Sequence, residues 1–210
     1  MFEDFITGLQ ASLQEPLPGR ESQEAMAPAI RTRGNKLFDP NDKTRQSSVL
    51  ILLYPHEGRI YFPLIKRPDY PGVHSGQMAL PGGRYEEGDP DLVHTAVRET
   101  WEEIGAERSG IRILGKLSEL FVYASNNNVL PVVGWQEGPS DWVPDHKEVA
   151  LVVDADINDL VDPEKRKRKN IVLSSGFEID SPYFDIQGHV VWGATAMMLS
   201  EFSQVVRKLL

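Results

Sequence analysis

The sequence predicts an α+β protein in which a mixed β-sheet lies between helices. Short apolar runs rich in β-branched residues fill the middle of the chain, whereas residues near both ends, and once in between, repeat at helical spacing. With 210 residues, 40% of them hydrophobic and 25% charged, the chain has the size and composition of one folded domain.

The first half of the chain begins with an amphipathic helix, because Phe2, Phe5, Ile6, Leu9 and Leu13 recur on one helical face. The Pro- and Gly-rich stretch Pro16–Arg33 is predicted to be an irregular connector. Two strands, Ser47–Tyr54 and Arg59–Ile65, follow around a turn at Pro55–Gly58. The helix and connector, residues 1–33, are expected to pack on a domain formed by residues 34–210.

A second helix is predicted from about Pro90 to Ile104, after the Pro- and Gly-rich stretch Lys66–Gly88. Pro90 suits a first helical turn, Asp89 suits the cap before it, and Gly105 suits the exit. Apolar residues and one threonine line a single face of this helix: Leu92, Val93, Ala96, Val97, Thr100 and Ile104.

The second half of the chain is predicted to be mostly strands, followed by a helix over Ala194–Leu210. The basic run Lys165–Lys169 is predicted to be a solvated loop, with a contact to a substrate phosphate as the alternative. The predicted strands are Ile111–Tyr123, Val129–Trp135 and Glu148–Val153, with a hairpin formed by Phe177–Asp180 and Tyr183–Trp192.

Charge and cysteine content restrict the function. A formal net charge of −9 argues against broad binding to nucleic acid or to an anionic membrane, and a polyanionic substrate would need positive charge supplied locally. Because the chain has no cysteine, any metal must be held by oxygen or imidazole ligands. Met1–Leu13 lacks the pattern of a secretory signal, so a cytoplasmic location is expected.

The stretch Arg98–Gly105, with sequence RETWEEIG, carries the most specific chemical signal. On a helix, Glu99, Glu102 and Glu103 can project toward one patch, and such like charges are unfavourable unless a cation binds them. A hard divalent cation such as Mg²⁺ satisfies this need, and Arg98 can orient a carboxylate behind it. The alternative is an acidic face exposed to solvent. The glycine-bearing segment Leu80–Asp89, which leads into the helix, favours the metal site.

These residues resemble the signature of the Nudix hydrolases, in which a glycine loop leads into a helix carrying Arg-Glu, two residues, Glu-Glu, one residue and Gly. The helical half is complete, but Pro90 stands where most members carry a glutamate, and Gly83 lies one residue too far upstream. In the length of this loop the chain resembles the coenzyme A diphosphatase branch of the family. Further elements of that branch resemble Lys66-Arg67, His74-Ser75-Gly76 and segments near both ends of the chain. The resemblance implies a Nudix-type α/β/α sandwich.

The resemblance also implies roles for individual residues. Glu99, Glu102, Glu103 and the carbonyl of Gly83 would hold Mg²⁺ or Mn²⁺, and the general base would be Glu102 or Glu148, a choice that the sequence leaves open. Gly82 belongs to the substrate loop, Arg67 and Arg84 would meet phosphates, and His74 either orients the loop or is structural. Trp135 and Trp192 are interpreted as core residues, with stacking on adenine as the alternative.

The expected reaction is metal-dependent hydrolysis of the diphosphate of coenzyme A or its derivatives, giving 3′,5′-ADP and 4′-phosphopantetheine. One alternative is a Nudix hydrolase of another small nucleotide substrate, such as ADP-ribose or NADH. A second is a regulatory module that binds a nucleotide without cleaving it. The oligomeric state is left open, with a homodimer as one alternative.

Overall fold

A computed structural model describes residues 2–29, 40–72, 74–139, 141–173 and 176–210. The helices are α1 (Phe2–Ser12), α2 (Gly19–Glu24), α3 (Leu92–Ile104) and α4 (Gly193–Val206). The strands are β1 (Arg45–His56), β2 (Arg59–Lys66), β3 (Met78–Ala79), β4 (Gly82–Arg84), β5 (Arg112–Lys116), β6 (Leu120–Val122), β7 (Asn127–Trp135), β8 (Leu151–Asp156), β9 (Arg166–Val172), β10 (Glu178–Ile186) and β11 (His189–Trp192).

The main sheet is mixed, as the sequence predicts. Its described strands run in the order β3-β2-β1-β7-β5, with β4 added to β1, β6 to β7 and β8 to β2. The long central pair β1 and β7 is parallel, whereas the other pairs are antiparallel. A second sheet, with the order β11-β10-β9, is wholly antiparallel.

Side chains alternate along β1 between two hydrophobic cores. Ile51 and Leu53 belong to the core that also contains residues of α1 and α4, whereas Leu50 and Leu52 pack with Ala96 and Ile104 of α3. Because successive side chains of a strand point to opposite faces, helices cover both faces of the sheet. The predicted α+β class and the α/β/α sandwich are confirmed.

The amino-terminal segment differs from its prediction, because the expected connector Pro16–Arg33 contains the helix α2. A buried carboxylate of α4 holds this helix: Glu201 accepts hydrogen bonds from the Gly19 N–H (3.0 Å) and from Gln23 Nε2 (2.9 Å). The backbone N–H of Ser118 also donates to Glu201, at 3.3 Å. Residues 30–33 of the predicted connector lie outside the described residues.

Helix α3 begins two residues later than expected, at Leu92, so the predicted cap is wrong. Asp91 is the capping residue, and its carboxylate accepts the backbone N–H of His94 at 2.9 Å. Asp89 is buried and bonds to Arg98 instead. The exit is as predicted, since Gly105 ends the helix with a φ of 73°, a conformation that favours glycine.

Several strand boundaries also differ from the predictions. Residues 111–123 form two strands, β5 and β6, because β7 pairs with them in separate stretches. The strand predicted from Glu148 starts at Leu151, after a turn that contains Glu148. The turn between β10 and β11 is at Gln187 and Gly188, which both have positive φ and form a two-residue hairpin loop.

The basic run Lys165–Lys169 is mostly a strand rather than the predicted loop. From Arg166 onward it forms β9, which pairs with β10. Ion pairs across this sheet join Lys167 to Asp185 at 2.6 Å and Arg168 to Asp180 at 2.5 Å. Of the helices in the described ranges, none is both long and apolar enough to span a bilayer.

Candidate functional site

The glycine loop is built into the main sheet beside β1. Val49 pairs with Gly82, and the N–H of Leu50 donates to the carbonyl of Pro81 at 2.9 Å. This pairing aims the backbone N–H of Gly82 at α3, where it donates to Glu103 Oε2 at 2.7 Å. The loop and the acidic helix are thus joined at the buried glutamate.

Gly83 lies directly under the carboxylate of Glu99. A Cβ atom at position 83 would overlap the carboxyl carbon and both carboxylate oxygens of Glu99, so only a glycine lets this side chain lie on the loop. The close approach brings backbone atoms of the loop next to a carboxylate, as a site for a metal ion and phosphate requires.

Arg98 joins the carboxylates of this site through one guanidinium group. Its Nε and Nη2 donate to the two carboxylate oxygens of Asp89 at 2.8 and 2.9 Å. Its Nη1 lies 3.0 Å from Glu99 Oε1 and 2.9 Å from Glu102 Oε2. Nη2 also donates to the carbonyl of Arg84, at 3.0 Å. The guanidinium therefore fixes the position of the loop relative to α3.

Asp89→Asn should destabilise the protein by about 3 kcal/mol at pH 7, because it breaks a bidentate ion pair whose side chains are only 6% and 15% exposed. The Arg98 guanidinium lowers the pKa of Asp89, so the stabilisation is present above the ordinary pKa of an aspartate, about 3.9, and is lost at lower pH. The difference in stability between the two proteins should therefore begin to shrink as the pH falls below about 4 and should continue to shrink at lower pH. Urea unfolding at several pH values measures this.

Asp91→Asn is the matched control for this prediction. Asp91 is exposed, and asparagine caps a helix about as well as aspartate, so its free energy of unfolding should stay within about 0.5 kcal/mol of wild type. A similar small effect for Asp89→Asn would show that the Arg98 pair contributes little.

The two inner glutamates hold their protons more tightly than exposed carboxyl groups do. Burial raises the pKa of Glu103 to about 8, although the Gly82 N–H and the charge of Arg67 act in the opposite direction. Burial also raises the pKa of Glu99, with Arg98 opposing it. The negative charge of Glu148 adds to both increases, so Glu148 lies near the two inner carboxylates.

The loop that carries Glu148 is fastened to the end of α3. The N–H of Val143 donates to the carbonyl of Ile104 at 2.9 Å, and the N–H of Asp145 donates to the carbonyl of Glu103 at 3.0 Å. A turn then closes from the N–H of Glu148 to the carbonyl of Asp145, also at 2.9 Å. These bonds bring an exposed carboxylate, 45 residues later in the chain than Glu103, to the same site.

The predicted phosphate-binding side chains are placed differently from one another. Arg67 is partly buried, and its positive charge acts to lower the pKa of both Glu103 and His74. Burial lowers the pKa of His74, whose Nδ1 lies 3.1 Å from Gln77 Oε1 in the same loop. Arg84 is exposed, and its backbone carbonyl, rather than its side chain, is what contacts Arg98.

The chemistry of these donors fits a hard divalent cation. Several carboxylates lie beside the glycine loop. The pKa values of Glu99 and Glu103 are raised by burial and by repulsion from neighbouring carboxylates, and a bound cation would stabilise their charged forms. Within the described part of the chain, however, no three such side chains already converge as ligands. Glu99 and Glu102 face Arg98, whereas Glu103 faces Gly82. The metal site therefore stays a prediction.

Asp89 has a role that the sequence did not indicate, and the interpretation of Trp192 as a core residue is wrong. Asp89 was expected only as a cap, although the buried acid pairs with the arginine nine residues later. Trp192 is partly exposed in a groove beside β3, whereas Trp135 is buried against Phe2. The spacing of residues in the sequence shows neither the ion pair of Asp89 nor the partial exposure of Trp192, because both depend on how the loop and the sheets pack.

Comparison with known proteins identifies the region that contains this site. A NUDIX domain is matched over residues 44–168. Nudix hydrolase 22 of Arabidopsis thaliana, described as chloroplastic, is 33% identical over 191 residues, which are 88% of this chain and 59% of that protein. The mitochondrial coenzyme A diphosphatase NUDT8 of Mus musculus is 30% identical over 130 residues, which are 60% of this chain and 61% of that protein.

A solved structure agrees with the fold. The Nudix hydrolase RenU from M. smegmatis superposes with a TM-score of 0.57 at 15% identity, covering 79% of this chain and 88% of that one. The chain spans about three fifths of the length of the two relatives from Arabidopsis and mouse. Because those relatives are described as chloroplastic and mitochondrial, the cytoplasmic location stays a prediction.

Proposed function

Because the chain belongs to the Nudix family, we propose that it hydrolyses the diphosphate bond of a small nucleotide derivative, with coenzyme A or its acyl derivatives as the substrate. The observation that carries this proposal is the contact of two glutamates of α3, the buried Glu103 and the partly buried Glu99, with two consecutive glycines of the loop. Glu103 accepts the Gly82 N–H at 2.7 Å, and Glu99 lies against Gly83.

Glu99, Glu102 and Glu103, with the carbonyl of Gly83, would hold Mg²⁺ or Mn²⁺. A bound divalent ion supplies neutralisation of phosphate charge and activation of water. Arg98 positions two of these carboxylates, and its bonds to Asp89 hold it in place. Arg67, whose charge already reaches Glu103, is suited to contact the phosphate oxygens of the substrate.

Glu148 is our proposed general base, with Glu102 as the alternative. Both carboxylates are exposed, but that of Glu102 already accepts a hydrogen bond from Arg98 at 2.9 Å. Among the described residues the carboxylate of Glu148 has no such partner, and it lies near Glu99 and Glu103. A base must be free to take a proton from the attacking water, and the carboxylate of Glu148 meets this condition.

Glu148→Gln should lower kcat by about 100-fold or more while leaving KM nearly unchanged, and it should remove the acidic limb of the pH–rate profile. Glu102→Gln should lower kcat too, but its profile should keep that limb. Steady-state kinetics of both variants between pH 5 and 9 make the comparison. If only Glu102→Gln lost the limb, Glu102 would be the base.

Coenzyme A is favoured over other diphosphates by two observations. The loop from Gly82 to Asp89 has the length expected for the coenzyme A branch, and the similar mouse protein is described as a coenzyme A diphosphatase. The products would be 3′,5′-ADP and 4′-phosphopantetheine.

Product analysis tests the reaction and the substrate together. The purified protein is incubated with coenzyme A, ADP-ribose and NADH separately, with Mg²⁺ or Mn²⁺ in ¹⁸O-water, and the products are identified by mass spectrometry. We expect 4′-phosphopantetheine from coenzyme A, and the labelled fragment identifies the phosphorus that water attacks. Cleavage of ADP-ribose or NADH alone would replace the substrate, whereas binding without cleavage would favour a regulatory module.

A further inference from the structure

A groove of about 400 Å³ lies between β2 and β3 on one side and the three-stranded sheet on the other. This volume is within the range of small-molecule sites, roughly 300 to 1,000 Å³. Its walls carry two lysines, a histidine and a partly exposed indole ring: Lys66, Lys169, His189 and Trp192. The groove therefore combines an aromatic surface with cationic groups.

The charge of this groove is opposite to that of the whole protein. The net charge of the chain is −9, yet none of the described residues that line the groove is an aspartate or a glutamate. On β9, Lys167 and Arg168 are paired with carboxylates. Across the described ranges, by contrast, neither Lys66 nor Lys169 has a carboxylate within 4.0 Å. Two unneutralised ammonium groups in one groove are suited to an anion.

The groove also adjoins the carboxylate site. Lys66 is the last residue of β2, and Arg67 follows it directly in the chain. The charge of Arg67 reaches Glu103, whereas Lys66 lines the groove. The N–H of Arg67 donates to the carbonyl of Gln77 at 3.0 Å, and Gln77 lines the groove as well.

We propose that this groove binds the nucleotide end of the substrate, with the base stacked on Trp192 and a phosphate outside the scissile diphosphate held by Lys66 and Lys169. In coenzyme A that group is the 3′-phosphate. The inference rests on the proposed function for the identity of the ligand, because a diphosphate at the carboxylates would leave this end of the molecule at the adjoining groove. A phosphate dianion matches two ammonium groups, and an indole face offers stacking to a base.

A binding experiment without catalysis provides the first test. The affinities of 3′,5′-ADP and 5′-AMP for the full chain are measured by titration calorimetry in wild type, Lys66→Ala, Lys169→Ala and Lys167→Ala. We expect each of the first two variants to bind 3′,5′-ADP about ten-fold more weakly, with 5′-AMP changed less than about two-fold. Lys167→Ala, on the same strand but paired with Asp185, should match wild type.

The aromatic contact has its own readout. Binding of 3′,5′-ADP should quench the tryptophan fluorescence of wild type, and Trp192→Phe should lose most of this change while retaining the fold. Equal loss of both nucleotides in the lysine variants, equal affinity in all variants, or no binding of 3′,5′-ADP to wild type would each overturn the inference.

Kinetics separate this inference from the proposed function. If coenzyme A is hydrolysed and its KM rises about ten-fold in Lys66→Ala and Lys169→Ala, but that of 3′-dephospho-coenzyme A does not, both proposals stand. If coenzyme A is hydrolysed with the same KM in every variant, the groove assignment fails alone. If coenzyme A is not cleaved but 3′,5′-ADP binding depends on both lysines, the proposed reaction fails and the groove remains a nucleotide site.

Discussion

Replacement of Glu103 by glutamine should lower turnover of coenzyme A by on the order of 1,000-fold while the protein stays folded. The proposed metal ligand loses its charge, and neutralisation of phosphate charge by a bound ion contributes several kcal/mol to such a reaction. Glutamine has the same size and can still accept the Gly82 N–H, so the contact between loop and helix is retained.

The stability of the metal-free variant separates a chemical role from a structural one. Burial raises the pKa of Glu103 to about 8, so its contribution to stability is greatest below the ordinary glutamate pKa and is lost as the pH rises toward 8. A glutamine at position 103 does not ionise, so the variant does not lose this stabilisation. At pH 8 Glu103→Gln should therefore unfold at the same temperature as wild type or at a higher one. Glu87→Gln, an exposed position in the loop, is the control for activity. Unchanged turnover in Glu103→Gln would refute the metal assignment.

Gly82→Ala should destabilise the fold by about 3 to 5 kcal/mol. The residue has a φ of 149°, and an added Cβ would lie 2.5 Å from the Cα of Val49 and closer still to the carbonyl oxygen of Ser48. Both are backbone atoms of β1, which is held on its other side by β7, so the strand cannot move aside cheaply. Urea unfolding followed by circular dichroism gives the free energy.

Gly88→Ala is the matched control for this glycine. An added Cβ there has no atom within 4 Å, so its free energy of unfolding should change by no more than about 0.5 kcal/mol. Equal unfolding midpoints for Gly82→Ala and wild type would show that the loop is not held against β1. A Gly82→Ala chain that does not fold at all would instead confirm the expected destabilisation in a stronger form.

The sequence predicted the elements whose signal is local. The apolar runs of β1 and β7 and the periodicity of α1, α3 and α4 each contain their own pattern, and the structure has all of these elements. The fold class followed from their order. The acidic residues of α3 and the glycine loop before it were identifiable because their spacing is specific and lies within about twenty residues.

Features that depend on distant partners could not be predicted. The helix α2 forms against Glu201, which lies 182 positions beyond Gly19. The Pro- and Gly-rich sequence around α2 does not contain this partner and therefore indicates only a connector. The strand β9 lacks apolar alternation, and its pairing with β10 is accompanied by ion pairs to Asp180 and Asp185. The groove is likewise formed by segments that are adjacent only after the two sheets pack together.

The buried carboxylate of Glu201 determines how the two ends of the described chain should respond to local opening. Its three backbone and side-chain donors come from Gly19, Gln23 and Ser118. Pulling α2 away would leave a charge inside the protein with most of its hydrogen bonds broken, which is costly in a medium of low dielectric constant. Amide hydrogens of α2 and of the middle of α4 are therefore expected to exchange with solvent at similar rates, as one cooperative unit.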